Sequence, residues 1–345
     1  MSNGWRSISI PALPTISQHC LNLVNLSFLR VLAAALAVIL AFPAFAWTVK
    51  SRELVDVEIA ANGSLTILVS APGSEHPGLY QWKSDSGEPT KICAIPSPSF
   101  FSFDRRVVIE RIRGRHDELR LYDASTCALL GRIETRGRVI DADAMGGLVA
   151  IATQHADEER ALELYSLLGK RIAKTKIGRN VELGFAPDGK TLVNFDLSDS
   201  VNAAWRIRSL ARVQSPPWMN KDEVTFIPGA QYVKRYADGV LSIIQWPSGK
   251  TKYLTPTARS VRLRQLSSDG RYGVLHERLL QGDSVAWFDF AAGTRVQLGG
   301  GSIDHAAINN NGSKVAWSQR GGLLGDEVTI LRAAVSATGT VTPEN

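Results

Sequence analysis

The stretch GFAPDGKT, Gly184 to Thr191, spells the phosphate-binding pattern of a glycine, four residues, and Gly-Lys-Thr. That pattern cradles phosphates only where a glycine-rich turn runs into a helix whose first N–H groups face the ligand. The residues that follow, Thr191-Leu-Val-Asn-Phe-Asp196, are rich in β-branched and aromatic side chains and lack helical spacing, so they predict a strand. The same stretch also recurs in other letters: LSSDGRYGVLH from Leu266, INNNGSKVAWS from Ile308 and IAANGSLTILV from Ile59. None of these copies keeps the first glycine or the Lys-Thr pair. Their common content is an apolar residue, two small or polar residues, Asp or Asn, Gly, and an alternating run. That describes a tight hairpin, with Asx-Gly expected to supply two central positions of positive φ. No nucleotide is expected to bind.

Weaker copies begin at Phe101, Asp143 and Phe226, and the turn position then falls at Gly63, Arg105, Gly147, Gly189, Ala230, Gly270 and Gly312. The steps are 42, 42, 42, 41, 40 and 42 residues. Each copy continues through a second strand, a polar loop, a third strand with an apolar spine such as ELRLYD or VAWFDF, and a turn into a fourth strand. Four short strands at this period predict an all-β, seven-bladed β-propeller of four-stranded antiparallel blades. The approximate blade limits are 55–97, 98–137, 138–179, 180–221, 222–259, 260–302 and 303–345 within a single propeller over 47–345. First strands should line the channel, and the core should lie between blades. Either Trp47–Leu54 or Thr340–Pro343 is expected to supply the outer strand that closes the ring.

On Ala186-Pro187-Asp188-Gly189, Ser267-Ser268-Asp269-Gly270, Asn310-Asn311-Gly312 and Ala61-Asn62-Gly63, the chain resembles the periplasmic seven-bladed propellers of the TolB-type, YVTN-type and quinoprotein amine dehydrogenase-like repeats. Their first hairpin carries Ser-Pro-Asp-Gly, and the resemblance covers about residues 50–340. It implies the architecture. The Trp-Asp and Gly-His pairs of WD repeats are absent, and no catalytic residue carries over.

Arg30 precedes an apolar run, Val31 to Phe42, followed by Ala44-Phe-Ala46. This predicts a signal peptide over 1–46 cleaved before Trp47, a periplasmic or secreted protein, and no integral membrane segment after cleavage. The full chain carries 39 basic and 33 acidic residues, a net charge of +6 that bears on solubility and gives no nucleic-acid signal. Cys93 and Cys127 follow the apolar run in consecutive blades, so a bond between blades is open to them.

Three candidate sites compete with plainer readings. His76, His116 and His155 follow the second strands of three adjacent blades, with His276 near the end of that strand in blade six. Sheets packed about 10 Å apart cannot easily bring such loops to one ion, so a solvated rim is expected and no metal or cofactor. Asp141 and Asp143 share one side of a channel-lining strand and could hold calcium or work as an acid–base pair. A one-residue slip, with Gly146 as the turn position and Ala142 in the apolar slot, explains them more simply. A serine hydrolase is excluded by the absence of a Gly-x-Ser-x-Gly elbow and of a second domain. With so poor a catalytic inventory, the expected function is a non-enzymatic scaffold that docks a protein of the cell envelope. The alternative is a periplasmic enzyme or small-ligand binder, lactonase- or dehydrogenase-like, with its site at the channel mouth. Partner recognition is expected on the loops after second strands, where Arg113, Arg115, His116, His155, Asp157, Glu158 and Glu159 form a mixed-charge strip.

Overall fold

The computed structural model describes residues 46–51, 55–60, 63–70, 74–83, 87–155, 159–178, 182–195, 203–219, 223–256, 261–279, 282–321, 326–336 and 339–343. The signal peptide expected over 1–46 lies outside these residues except for Ala46, and Asp157 and Glu158 also lie outside them.

Alternating β-branched runs punctuated by Asx-Gly turns build seven antiparallel meanders, each hydrogen-bonded in chain order. Blade one comprises β2 (Val55–Ile59), β3 (Leu65–Val69), β4 (Gly78–Trp82) and β5 (Thr90–Cys93). Blade two has β6 (Ser99–Phe101), β7 (Val107–Ile112), β8 (Glu118–Asp123) and β9 (Leu129–Glu134), and blade three β10 (Arg138–Met145), β11 (Leu148–Gln154), β12 (Arg160–Ser166) and β13 (Arg171–Lys176). Blade four follows with β14 (Glu182–Phe185), β15 (Thr191–Phe195), β16 (Ala203–Arg206) and β17 (Ala211–Val213), and blade five with β18 (Glu223–Phe226), β19 (Tyr232–Ala237), β20 (Val240–Gln245) and β21 (Thr251–Pro256). Blade six consists of β22 (Val261–Leu266), β23 (Tyr272–Leu279), β24 (Gly282–Asp289) and β25 (Thr294–Gly300); blade seven of β26 (Ser302–Ile308), β27 (Lys314–Gly321) and β28 (Glu327–Val335). The strand after Gly189 is β15, so the phosphate-loop letters open a hairpin and no helix.

The first and last described strands complete the seventh blade. β1 (Ala46–Lys50) pairs with Glu327–Leu331 of β28, and β29 (Val341–Pro343) pairs with Ala333–Val335 of the same strand. The two alternatives for ring closure are thus realised together, along one edge.

Apolar clusters fill the gaps between neighbouring blades. Ile67, Trp82, Ala316 and Ile330 pack blade one on blade seven, and Leu68, Leu79, Ile95 and Val108 join blades one and two. Ile109, Leu121, Ala144 and Ile151 join blades two and three. Each buried Val, Leu or Ile side chain among them contributes about 1.5–3 kcal/mol on removal from water. Cys93, at the end of β5, and Cys127, just after β8, form a disulfide across blades one and two with Cα atoms 6.3 Å apart.

The meander places the first–second and third–fourth connections on one face, here the turn face, and the second–third connections on the other, the loop face. Among the described residues of the first–second hairpins, the expectation of two positive-φ residues holds at Gly146–Gly147, and Asp238–Gly239 meets it between β19 and β20 on the loop face. In blades four and six only the glycine has positive φ, and the Asx side chain instead accepts N–H groups of the turn. Asp188 Oδ1 accepts from Lys190 N at 2.8 Å, and Asp269 Oδ1 from Arg271 N at 3.0 Å. The Asx residue is there for its oxygen.

Candidate functional site

Blade two breaks the turn pattern at the position that matters most. Its hairpin reads Ser102-Phe-Asp-Arg-Arg-Val107, with arginine where five other blades carry glycine, and Arg105 adopts φ 62°. A side chain in this region costs about 1–2 kcal/mol unless contacts offset it. The contacts are present. Arg105 Nη1 donates to Asp56 Oδ2 of β2 at 2.7 Å, and its Nε lies 3.7 Å from Glu58 Oε2. Asp56 Oδ1 in turn lies 3.2 Å from His305 Nδ1 on β26, so one carboxylate joins the first strands of blades one and seven to the turn of blade two.

Phe103 reaches across the axis from the same turn. Its N–H donates to Asp143 Oδ1 of blade three at 2.8 Å, and its carbonyl accepts from Gly229 N of blade five at 2.8 Å. Its ring stands edge-on to Phe226, also of blade five, with centroids 6.2 Å apart. Asp104 adds a third tie, its Oδ2 accepting from Gly146 N at 3.0 Å. Blades two and five are opposite members of a ring of seven. The Phe103–Arg105 segment therefore closes the axis at the turn face, bolted to blades one, three and five.

Burial governs the charge states here. It pushes the Asp56 carboxyl up, but Arg105 and His305 outweigh it and hold the group well below the usual carboxylate range. Burial pushes Glu58 up to about 7, because Arg105 sits a full ångström farther from it than from Asp56 and Asp56 repels it. Asp143 is also pushed up to about 7 by burial, against the N–H groups of Phe103 and Ala144. Asp141 is raised by burial too, and its Oδ2 accepts from Leu183 N of blade four at 2.6 Å. Asp141 and Asp143 thus each bond the backbone of a neighbouring blade. Ala142 and Ala144 between them are buried against Ile109 and Ile151, so Ala142 fills the apolar slot, and the register of β10 shifts at Ile140.

Beside the closed axis, on the turn face, a cavity of about 600 Å³ lies among blades seven, one and two. Glu58, Thr66, Arg105, Arg106, Asp123 and Asn310 give it a polar lining. Among the described residues, no three His, Cys, Asp or Glu side chains converge as metal ligands.

On the loop face, Arg113, Arg115 and His116 are exposed between β7 and β8, and no ion pair among the described residues engages them. Their loop is anchored beneath by buried Asp117, whose Oδ2 accepts from Arg111 Nη2 at 2.7 Å and from Val139 N of blade three at 2.9 Å. His155 is half-buried and lies 3.3 Å from Lys174 Nζ, and Glu159 pairs with Lys176 at 3.0 Å. His276 is buried within β23, and His305 belongs to the Asp56 contact; neither stands on the rim. Sequence reasoning missed Asp56, Glu58, Phe103, Arg105 and Asp117. Arginine in a glycine slot was the available signal.

These features define a seven-bladed β-propeller with a closed axis. No family model and no curated protein matches the chain. Solved structures do. A chain in the crystal structure of the Mitotic Checkpoint Complex superposes with a TM-score of 0.53 at 10% identity, covering 84% of this chain and 95% of that one. The Cps50 (Swd1) β-propeller domain of Myceliophteria thermophila gives 0.54 at 10% identity, covering 80% and 94%. A 6-phosphogluconolactonase assigned by likeness in Bacteroides fragilis gives 0.49 at 14%, covering 86% and 93%. The first two establish the fold and nothing finer.

Proposed function

We propose that the chain is a non-enzymatic scaffold that binds another protein of the cell envelope through its loop face, working in the periplasm or as a secreted protein. Kinship to the TolB-type and YVTN-type propellers belongs to the same reading. The observation that carries it is the division of labour between the faces. The axis is closed at the turn face by residues bonded to one another, whereas Arg113, Arg115 and His116 are exposed on a loop anchored by Asp117, with no ion-pair partner among the described residues. The Cys93–Cys127 bond suits an oxidising compartment, as does the signal-like leader. Propellers of this build also occur in a multiprotein assembly, the Mitotic Checkpoint Complex.

The test is capture from a periplasmic extract by wild type and by Arg113→Glu/Arg115→Glu, with mass spectrometry of what is retained. Exposed substitutions leave folding intact, and the variant should lose the partner that wild type retains. A second reading rests on the polar cavity, which is large enough for a small ligand. Capture that survives the loop variant but fails on Arg106→Glu, at the cavity wall, favours that reading and sinks the scaffold.

A further inference from the structure

Blade six gathers three arginines at one end of its first two strands. β22 contributes Arg262 and Arg264 near its loop-face end, and β23 brings Arg278 to the same end. Arg262 stands opposite His276 in the ladder, and Arg278 opposite Asp283. Between Leu263 and Gln265 the register slips by one residue, so Arg264 sits in a bulge. A bulge re-aims the side chain it carries. Here the Arg264 guanidinium Nη2 lies 2.9 Å from His276 Nδ1 of β23 and donates to Ile303 O of blade seven at 3.4 Å.

The nearby carboxylates are committed elsewhere. Asp283 Oδ2 lies 3.0 Å from His276 Nε2, and Asp304 is clamped by Arg320, with Nε to Oδ1 at 3.2 Å. With Asp283 taking the proton side of the ring, His276 Nδ1 accepts from Arg264, and burial together with Arg264 and Arg278 pushes the imidazole's pKa down against Asp283. The Nε of Arg264 is buried and has no hydrogen-bond partner among the described residues. Burial, then repulsion from Arg278, lowers the pKa of Arg264, with Asp304 offsetting part of this. A half-buried guanidinium with an unused donor, beside two further guanidiniums, is an unfavourable arrangement for an empty site. An acceptor-rich anion removes both faults: it gives Nε a partner and neutralises the cluster through fork-shaped, charge-assisted bonds.

We propose that the loop-face end of blade six binds a small oxoanion, the phosphate or carboxylate group of a ligand, between Arg264 and Arg278 with Arg262 at the rim. The site is separate from the strip at Arg113–His116 and does not depend on the scaffold reading.

Isothermal titration of the full-length chain with inorganic phosphate, and separately with acetate, at constant ionic strength in chloride tests it. Saturable one-site binding of at least one anion is expected, weakened tenfold or more by Arg278→Gln and by Arg264→Gln, and unchanged by Arg212→Gln on an outer strand. Binding of phosphate alone assigns a phosphate ligand, and binding of acetate assigns a carboxylate. Arg264→Gln also removes the contacts to His276 and Ile303. If it fails to fold, exposed Arg278→Gln carries the test alone. Absence of saturable binding by both anions, or binding unchanged in Arg278→Gln, overturns the proposal.

Discussion

Arg105→Gly restores to blade two the residue that Gly63, Gly189, Gly270 and Gly312 supply elsewhere, and on backbone grounds alone it should stabilise. It relieves a non-glycine residue at φ 62°, worth about 1–2 kcal/mol. It also strips Asp56 of its guanidinium partner, leaving a buried carboxylate with His305 and the N–H of Val57. Breaking a buried pair by deleting one member costs about 3–5 kcal/mol. The side-chain loss therefore wins, and a net destabilisation of roughly 2–3 kcal/mol is expected. Urea unfolding followed by tryptophan fluorescence reads it as a midpoint lowered by about 1 M, taking a slope of about 3 kcal/mol/M for a chain of this size. Asp56→Asn in the same background completes a double-mutant cycle, with a coupling of about 1 kcal/mol or more expected for groups 2.7 Å apart. A midpoint for Arg105→Gly equal to or above wild type would refute the view that the axis is held shut by this ion pair.

Removing the disulfide with Cys93→Ala/Cys127→Ala frees a loop whose ends are 34 residues apart, and the chain-entropy relation puts the cost at about 4 kcal/mol. Reductant should lower the urea midpoint of wild type and leave that of the variant where it is. The pH dependence has a defined sign. Glu58 and Asp143 have folded values of about 7, above their ordinary 4.5 and 3.8, so their stabilising contribution is full below about pH 4 and is lost as pH rises through 7. Asp56, held low, acts in the opposite sense: its contribution is present above 3.8 and is lost as pH falls below its depressed folded value. Asp143→Asn keeps an acceptor for Phe103 N and removes one proton from this balance, so its midpoint should decline less between pH 5 and 8. An equal decline in wild type and variant would count against the assignment.

The architecture was legible because its cause is local and repeated. Asx-Gly turns and alternating spines recur at a nearly fixed step, and seven independent copies outvote any one ambiguous hairpin. Blade three shows the limit: a two-residue turn at Gly146–Gly147 shifts the register, and only the neighbours of Ala142 and Ala144 show which side faces the core. The closed axis was hidden for another reason. Phe103 meets Gly229 and Phe226 from across the ring, and no periodicity within a blade encodes a contact between opposite blades. The histidines were misleading as a set, since sequence position cannot distinguish exposed His116 from His276, buried inside β23.

The shared edge of blade seven sets an order of events in time. Thr48 is synthesised early, yet its partner Thr329 emerges 281 residues later. Until then Ala46–Lys50 is a strand without a sheet, and the seventh blade lacks an outer rail. Closing so long a loop is entropically slow. The ring can therefore be assembled blade by blade but not sealed until almost the whole chain is available.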